Sequence, residues 1–257
     1  MGEKVSIITI SYNSQKSIEA TMCSVLEQTY RPLEYVLVDG GSTDGTIQLI
    51  ESYIPKFHEA GIETNFKSEP DKGISDAFNK GIERSTGDII GIINSDDRLS
   101  DKQILKKIVD SFDSDCEVIC GDILWADEVN NMQYVRKSSM KLKKLKYDMA
   151  LMHPACFVKK TAYQKYGTFD VEFRYAMDKD LMARFYSNGV KFQRFPEVTT
   201  IMSAGGASDE NTKKVFQEGV EIGVRNGVPR WVMRTREKYK TARLKLINIW
   251  KRGGYKI

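Results

Sequence analysis

Acidic residues stand in two tight groups in this 257-residue chain. In the first, Asn94-Ser95-Asp96-Asp97 follows directly on Ile89-Ile90-Gly91-Ile92-Ile93. Two adjacent carboxylates repel each other unless a cation or a proton sits between them, so a divalent metal is their natural occupant. The competing reading is a strand-end turn with solvated acids. In the second group Asp178 and Asp180 flank Lys179. Leu181, Arg184 and Phe185 follow at helical spacing, which sets these acids at a helix N-terminus, where the macrodipole favours the anion. One acid there suffices as a cap.

Both groups need elements to hold them. A run as short and apolar as Ile89–Ile93 suits a strand buried on both faces. Upstream, Val5–Ile10, Tyr35–Val38 and Glu63–Lys67 read as strands, alternating with helices over 14–28, 46–58 (interrupted near Pro55) and 74–84. Strand–helix alternation with short loops implies a parallel sheet of right-handed crossovers. Each strand ends in a polar residue: Ser11, Asp39, Ser68, then Asn94. All four ends fall on one edge of a parallel sheet, where open α/β sheets bind ligands.

Further on, the spacing predicts a helix over 101–112, a strand over 117–123 and a turn at Asn130-Asn131 leading to a strand over 133–137. The run Lys141–Lys146 reads as a solvated basic face. His153-Pro154 enters another strand, and 190–195 and 199–202 read as two more. Ala204-Gly205-Gly206-Ala207-Ser208 is a turn, and a helix from Asp209 ends at Asn226-Gly227.

The overall charge of +4 conceals an asymmetry. Residues 230–257 hold ten Lys and Arg against Glu237 alone, a net +9, which leaves −5 to the rest. Within this tail Trp231, Thr235, Tyr239, Ala242, Leu246, Ile249 and Trp250 recur at steps of three and four between the cations. Such a basic amphipathic helix suits the surface of an anionic membrane. Packing on the main domain, or a homodimer contact, is the competing use. Nucleic acid is disfavoured as a partner, since no stacking or groove-reading module accompanies the charge.

Absences narrow the function. The first strand-to-helix turn, Ser11-Tyr12-Asn13, lacks GxGxxG, and neither GxxxxGK[ST] nor GxSxG occurs, which argues against dinucleotide-binding, P-loop and serine-hydrolase chemistry. Four scattered cysteines and two histidines offer no zinc spacing. No apolar run approaches the roughly 20 residues of a membrane span. The N-terminus runs straight into a strand, without a signal peptide, and Gly2 with Ser6 matches the myristoylation pattern no better than chance. A cytoplasmic protein with reduced thiols, peripheral on the inner face of the cytoplasmic membrane, is expected.

The motifs together resemble the family 2 glycosyltransferases, nucleotide-sugar-dependent enzymes of the GT-A fold. The likeness runs through Val5–Asn13, Val36–Thr46, Glu69–Gly81, Asn94–Asp97, Met177–Leu181 and Gly205–Ser208. The segment around Asp76–Asn79 is most similar to the bacterial exopolysaccharide and lipopolysaccharide branch. The resemblance implies an α/β GT-A, Rossmann-like, mostly parallel central sheet flanked by helices over 1–208, with a nucleotide-sugar half (1–100) and an acceptor half (101–208). A helical extension, 209–257, follows.

By that likeness Thr9, Tyr12, Asn13, Asp39, Asp71, Asp76, Asn79, Ser95 and Asp96 would bind the donor, a UDP-sugar by family habit. Asp97 and Asp96 would hold Mn2+ or Mg2+ against its diphosphate. Asp178 matches the base that takes the proton of the attacking hydroxyl, in a single displacement that inverts the anomeric centre. Asp180 is the alternative base or an acceptor contact, and His153, just before a strand in the acceptor half, reads as either an acceptor contact or a structural residue, the acceptor being a glycan or a lipid-linked molecule. The chain departs from the family pattern twice. Asn94 stands where an acid is usual, shifting the metal duty to Asp96 and Asp97, and Met177 replaces the Glu that commonly precedes the base. A sugar nucleotidyltransferase would need a Gly-rich cationic loop after the first strand, which Ser11–Ser14 lacks. A silent sugar-nucleotide- or glycan-binding protein would have no use for Asp39, Asp96, Asp97 and Asp178 together.

Overall fold

The computed structural model describes residues 2–205 and 211–252, with side chains as far as Leu244. Gly206-Ala207-Ser208, and the side chains of Leu246, Ile249 and Trp250, lie outside the described residues.

The strands expected in the first half form as β1 (Val5–Ser11), β2 (Leu33–Asp39), β3 (Glu63–Ser68) and β4 (Ile89–Ile92). They pair in parallel in the order β3-β2-β1-β4. Alternation of side chains explains why the central strand β2 is apolar on both faces, whereas the edge strand β3 (Glu63–Ser68) is largely polar. Leu33, Tyr35 and Leu37 of β2 enter the core on one face, and Val36 and Val38 enter the core on the other. Helices α1 (Ile18–Leu26), α2 (Thr46–Glu59) and α3 (Ile74–Arg84) link them. Gly81 of α3 lets the helix lie against β1, since a Cβ there would stand 2.4 Å from Cγ2 of Ile8. Helix α2 runs unbroken through Pro55. Pro55 and Glu51, whose carbonyl loses its partner, both face solvent, so water can take up the lost hydrogen bond.

Beyond β4 the sheet becomes mixed. The remaining strands are β5 (Arg98–Leu99), β6 (Val118–Asp127), β7 (Met132–Arg136), β8 (Cys156–Lys159) and β9 (Phe192–Ser203), with order β4-β8-β6-β9-β5 and β7 on β6. β8 runs antiparallel to both β4 and β6, while β6 and β9 are parallel. The two strands expected over 190–202 are one. Cys120 pairs with Arg194 and Asp122 with Val198, so the intervening residues, Pro196 among them, form a bulge that needs no ladder hydrogen bond at the proline.

The second-half helices are α4 (Ile104–Ser111), α5 (Lys160–Tyr166), α6 (Met177–Ser187), α7 (Thr212–Arg225) and α8 (Arg230–Arg252). Leu142–Lys146 and His153–Ala155 form 3-10 turns. Helix α8 packs on the body through Met233, buried over Gly223 of α7, and through Arg236 and Lys240, which reach Asp148 at 3.5 and 2.5 Å. The packed face is therefore not the aromatic stripe: Trp231 and Tyr239 are 73% and 69% exposed. No helix among the described residues is long and apolar enough to cross a membrane. The four cysteines are free thiols.

Candidate active site

The polar ends of the parallel strands open on a cavity of about 950 Å3. Its frame is built around Asp39. Register sets Ser11 beside Asp39 and Asp39 beside Ser68 across three strands. The Asp39 carboxylate accepts from the hydroxyls of Ser11 (3.0 Å), Ser68 (2.7 Å) and Ser42 (2.5 Å), and from the amides of Gly41 (3.0 Å) and Ser42 (2.8 Å). Burial alone would push this carboxyl up, but the hydrogen bonds from Ser42, Ser68 and Ser11 outweigh it and hold the group below the usual range.

The loops fixed in this way form the cavity wall. Asn13, at φ +50°, a conformation that asparagine tolerates, accepts from the Thr43 amide (2.9 Å) and donates its own amide to Ser42 Oγ (2.8 Å). The hydroxyls of Ser14 and Ser95 lie 2.9 Å apart, tying the first loop to the end of β4. Gly40 permits a close approach: a Cβ there would stand 2.4 Å from Oδ2 of Asp71, whose Oδ1 accepts from the Gly73 amide at 2.7 Å. Tyr12, 66% exposed, stands at the mouth.

Asp96 and Asp97 line the same cavity. Asp97 is 1% exposed and accepts from Asn94 Nδ2 (2.9 Å) and the Ser203 amide (3.1 Å). The amide at position 94 is thus a donor to the neighbouring acid, where a third carboxylate would have repelled it. Burial, reinforced by the charge of Asp96, pushes Asp97 up to about 7, and burial raises Asp96 as well. Among the described residues neither acid makes an ion pair, and no cluster of three or more His, Cys, Asp or Glu side chains forms a metal cage. Two uncompensated, hard oxygen donors fit part of the shell of Mg2+ or Mn2+, the remainder falling to substrate phosphate and water.

The opposite wall comes from the second half of the chain. Asp178, in the first turn of α6, borders the cavity together with His153 and Tyr175. Burial pushes the Asp178 carboxyl up, opposed by nearby His153, and pushes the His153 imidazole down, opposed by Asp178. The approach to α6 is held from a distance. The Glu218 carboxylate on α7 accepts the backbone amides of Arg174 (3.0 Å), Tyr175 (2.8 Å) and Ala176 (2.8 Å).

Of the residues singled out in the sequence, Tyr12, Asn13, Asp71, Ser95, Asp96, Asp97, His153 and Asp178 meet at this cavity. The others serve the frame. Thr9 is fully buried and donates to the Ile93 carbonyl at 2.8 Å. Asp39 stands behind Gly40, and Asp76 accepts from the Lys72 amide (3.0 Å) and pairs with Lys80 at 3.2 Å. Asn79 ties α3 to Phe169 through that residue's carbonyl and amide. Asp180 turns away from the cavity into an ion pair with Arg184 at 2.8 Å. Tyr175 and Glu218 were not anticipated. Tyr175 adjoins the second acid group and was within reach of sequence reasoning, whereas nothing local marks Glu218.

Three comparisons bear on this arrangement. The family described as glycosyl transferase family 2 matches residues 6–174. A "PGL/p-HBAD biosynthesis glycosyltransferase" of Mycobacterium bovis is 26% identical over 226 residues, 87% of this chain and 86% of that protein. Among solved structures, residues 1–349 of S. aureus TarS with UDP-GlcNAc superpose with a TM-score of 0.66 at 19% identity, covering 90% of this chain and 69% of that one. This chain spans 41% of the longer TarS chain. The mannosyltransferase PcManGT of Pyrobaculum calidifontis, with GDP-Man and Mn2+, gives a TM-score of 0.65 at 18% identity, over 86% of this chain and 63% of that one. At these identities the structural likeness concerns the fold.

Proposed function

Because this chain belongs to glycosyl transferase family 2, we propose that it moves a sugar from a nucleotide-sugar to a hydroxyl of a glycan or lipid-linked acceptor, with inversion. The carrying observation is that Asp96 and Asp97 from one half of the fold and Asp178 from the other border a single cavity. The donor, a UDP-sugar in the first instance, lies along the strand ends. Tyr12 at the mouth offers a face for the base to stack on, and Asn13, Asp71 and Ser95 offer polar contacts. Asp96 and Asp97 would hold Mn2+ or Mg2+, which when bound neutralises charge on the donor diphosphate. Asp178 takes the proton of the acceptor hydroxyl as the hydroxyl oxygen attacks the anomeric carbon, whose bond to the phosphate oxygen breaks to release the nucleoside diphosphate. A carboxyl raised by burial is a stronger base than an exposed one, which suits that task.

The outward face of α8 supports a second element of the reading. Trp231, Arg234, Lys238 and Tyr239 are all exposed there, the pairing of aromatic and cationic groups that anchors a helix on anionic lipid. Sedimentation with anionic vesicles, compared for wild type and Trp231→Ala/Tyr239→Ala, tests this; equal binding refutes it.

The main test is donor turnover with and without EDTA, in wild type and Asp178→Asn, with the anomer of the product read by NMR. Turnover that survives the substitution, or a product with retained configuration, overturns the mechanism. Donor binding without turnover on any acceptor favours a silent binding protein.

A further inference from the structure

A second cavity, of about 350 Å3, lies behind Asp178, between the segment 147–154 and helices α7 and α8. His153, Tyr175, Asp178 and Met202 belong to the walls of both cavities. A molecule seated in the second therefore meets the contents of the first at Asp178. Apolar lining comes from Met149, Phe216, Val220 and Met233. The lining also carries Arg136, Lys179, Arg236 and Lys240 and the carboxylates Asp148, Asp178 and Glu237, with the Lys240 ammonium 5.7 Å from the centre of the Phe216 ring.

These cations are incompletely satisfied. A single carboxylate, Asp148, serves both Arg236 and Lys240. Lys179 is 5% exposed, and its ammonium donates to the Gly219 carbonyl at 2.7 Å with no carboxylate in ion-pair range among the described residues. Burial and the charges of Lys240 and Arg236 pull Lys179 down to about 8. The Nε of Arg236 is buried without a hydrogen-bond partner while its guanidinium lies over the Tyr147 ring at 4.4 Å. Cations this short of carboxylates are costly to bury, and a ligand oxyanion in the cavity would offset their charge.

We infer that this cavity is the acceptor subsite and that it selects an amphipathic acceptor, with an oxyanion group against Lys179 and Arg236 and an apolar body along the Met149–Phe216–Met233 wall. The inference rests on the transfer reaction proposed above and names its acceptor class. The oxyanion is a phosphate or a carboxylate, both of which accept from an ammonium and a guanidinium.

Calorimetric titration of the full chain with octyl phosphate, octanoate, octyl glucoside and inorganic phosphate tests it. The better of the two octyl anions should bind about tenfold more tightly than octyl glucoside, and Arg236→Gln and Lys179→Met should each forfeit about that factor. Whichever octyl anion binds better identifies the oxyanion. Octyl glucoside binding as well as the anions, or full affinity in Arg236→Gln, a variant at a half-exposed position that spares the fold, overturns the inference. Inorganic phosphate matching octyl phosphate overturns its apolar half. Saturating UDP should leave octyl phosphate bound; displacement would place that ligand in the donor cavity and overturn the assignment. Asp178→Asn separates the two readings. Transfer that persists in this variant sinks the reaction but not the site, and absent octyl-anion binding with transfer abolished sinks the site alone.

Discussion

Removing the Glu218 carboxylate should damage the site without touching it. Glu218 holds three consecutive amides that lead into α6, two residues before Asp178. A hydrogen bond to a charged group contributes roughly 1.5–3 kcal/mol, but water can replace part of this wherever the bond is exposed. The Arg174 bond is exposed and those of Tyr175 and Ala176 are partly buried, so Glu218→Ala should cost roughly 2–3 kcal/mol in place of the full sum of three. For a chain of this size each kcal/mol lowers Tm by roughly 2–4 °C, so a fall of about 4–12 °C is expected in a thermal melt. The effect on catalysis should exceed this. Asp178 must meet the acceptor hydroxyl, and a misplacement of about 1 Å in a reacting group costs about a hundredfold. Steady-state kinetics should show kcat down at least about tenfold with KM for the donor little changed, because the strand-end loops make no use of Glu218. Glu218→Gln, which keeps one acceptor oxygen, should fall between. An unchanged Tm together with unchanged kcat would refute the assignment of Glu218 as the brace of this segment.

Asp178→Asn should lower transfer by about 10²–10⁴-fold while the thermal shift produced by UDP persists. Because burial raises the Asp178 carboxyl, the proton-accepting form is lost as pH falls through a value above the ordinary carboxylate range. The acid limb of kcat/KM should therefore lie above pH ~4, and a limb at or below the model-peptide value would contradict the burial argument. Mn2+ with UDP should raise Tm, by an amount equivalent to ~2.7 kcal/mol at a hundred times Kd, with EDTA reversing the gain and Asp97→Asn lacking it. A Mn2+ response that survives in Asp97→Asn would move the metal elsewhere. Gly40→Ala should raise the donor KM, since its Cβ displaces Asp71 from the wall, and should spare the melt; an unchanged KM would remove Asp71 from donor binding.

The parallel half of the fold was legible because its signals are local. Short apolar runs, each ended by a polar residue, marked β1, β2 and β4, and the Ile74–Arg84 helix appears with the boundaries read from its spacing. The mixed half was not, because its pairing depends on distant segments. β8 inserts between β4 and β6 although it comes later in the chain than either, and no local pattern encodes that. β9 reads as two strands because Pro196 interrupts its apolar run. At the site, residue type identified the acids but not their surroundings. Asp39 and Asp96 look equally available in the sequence, yet the first is enclosed by five donors and the second faces the cavity. Asp180, two residues from Asp178, is distinguished from it by its ion pair with Arg184.

The enclosure of Asp39 separates permanence from variability in the parallel half of the sheet. Three strand ends and the 40–42 loop are fastened to one buried carboxylate, so the pose of the neighbouring loop tips does not depend on the side chains of Tyr12, Pro70 and Lys72. On the proposed donor placement, Tyr12, Pro70 and Lys72 can be exchanged to suit another base or sugar so long as Ser11, Ser42 and Ser68 still present hydroxyls to Asp39 and Asn13 and Asp71 still hold the Thr43 and Gly73 amides. Libraries for altered donor choice belong at those tips, and randomising the serines would discard folded variants before any selectivity could be measured.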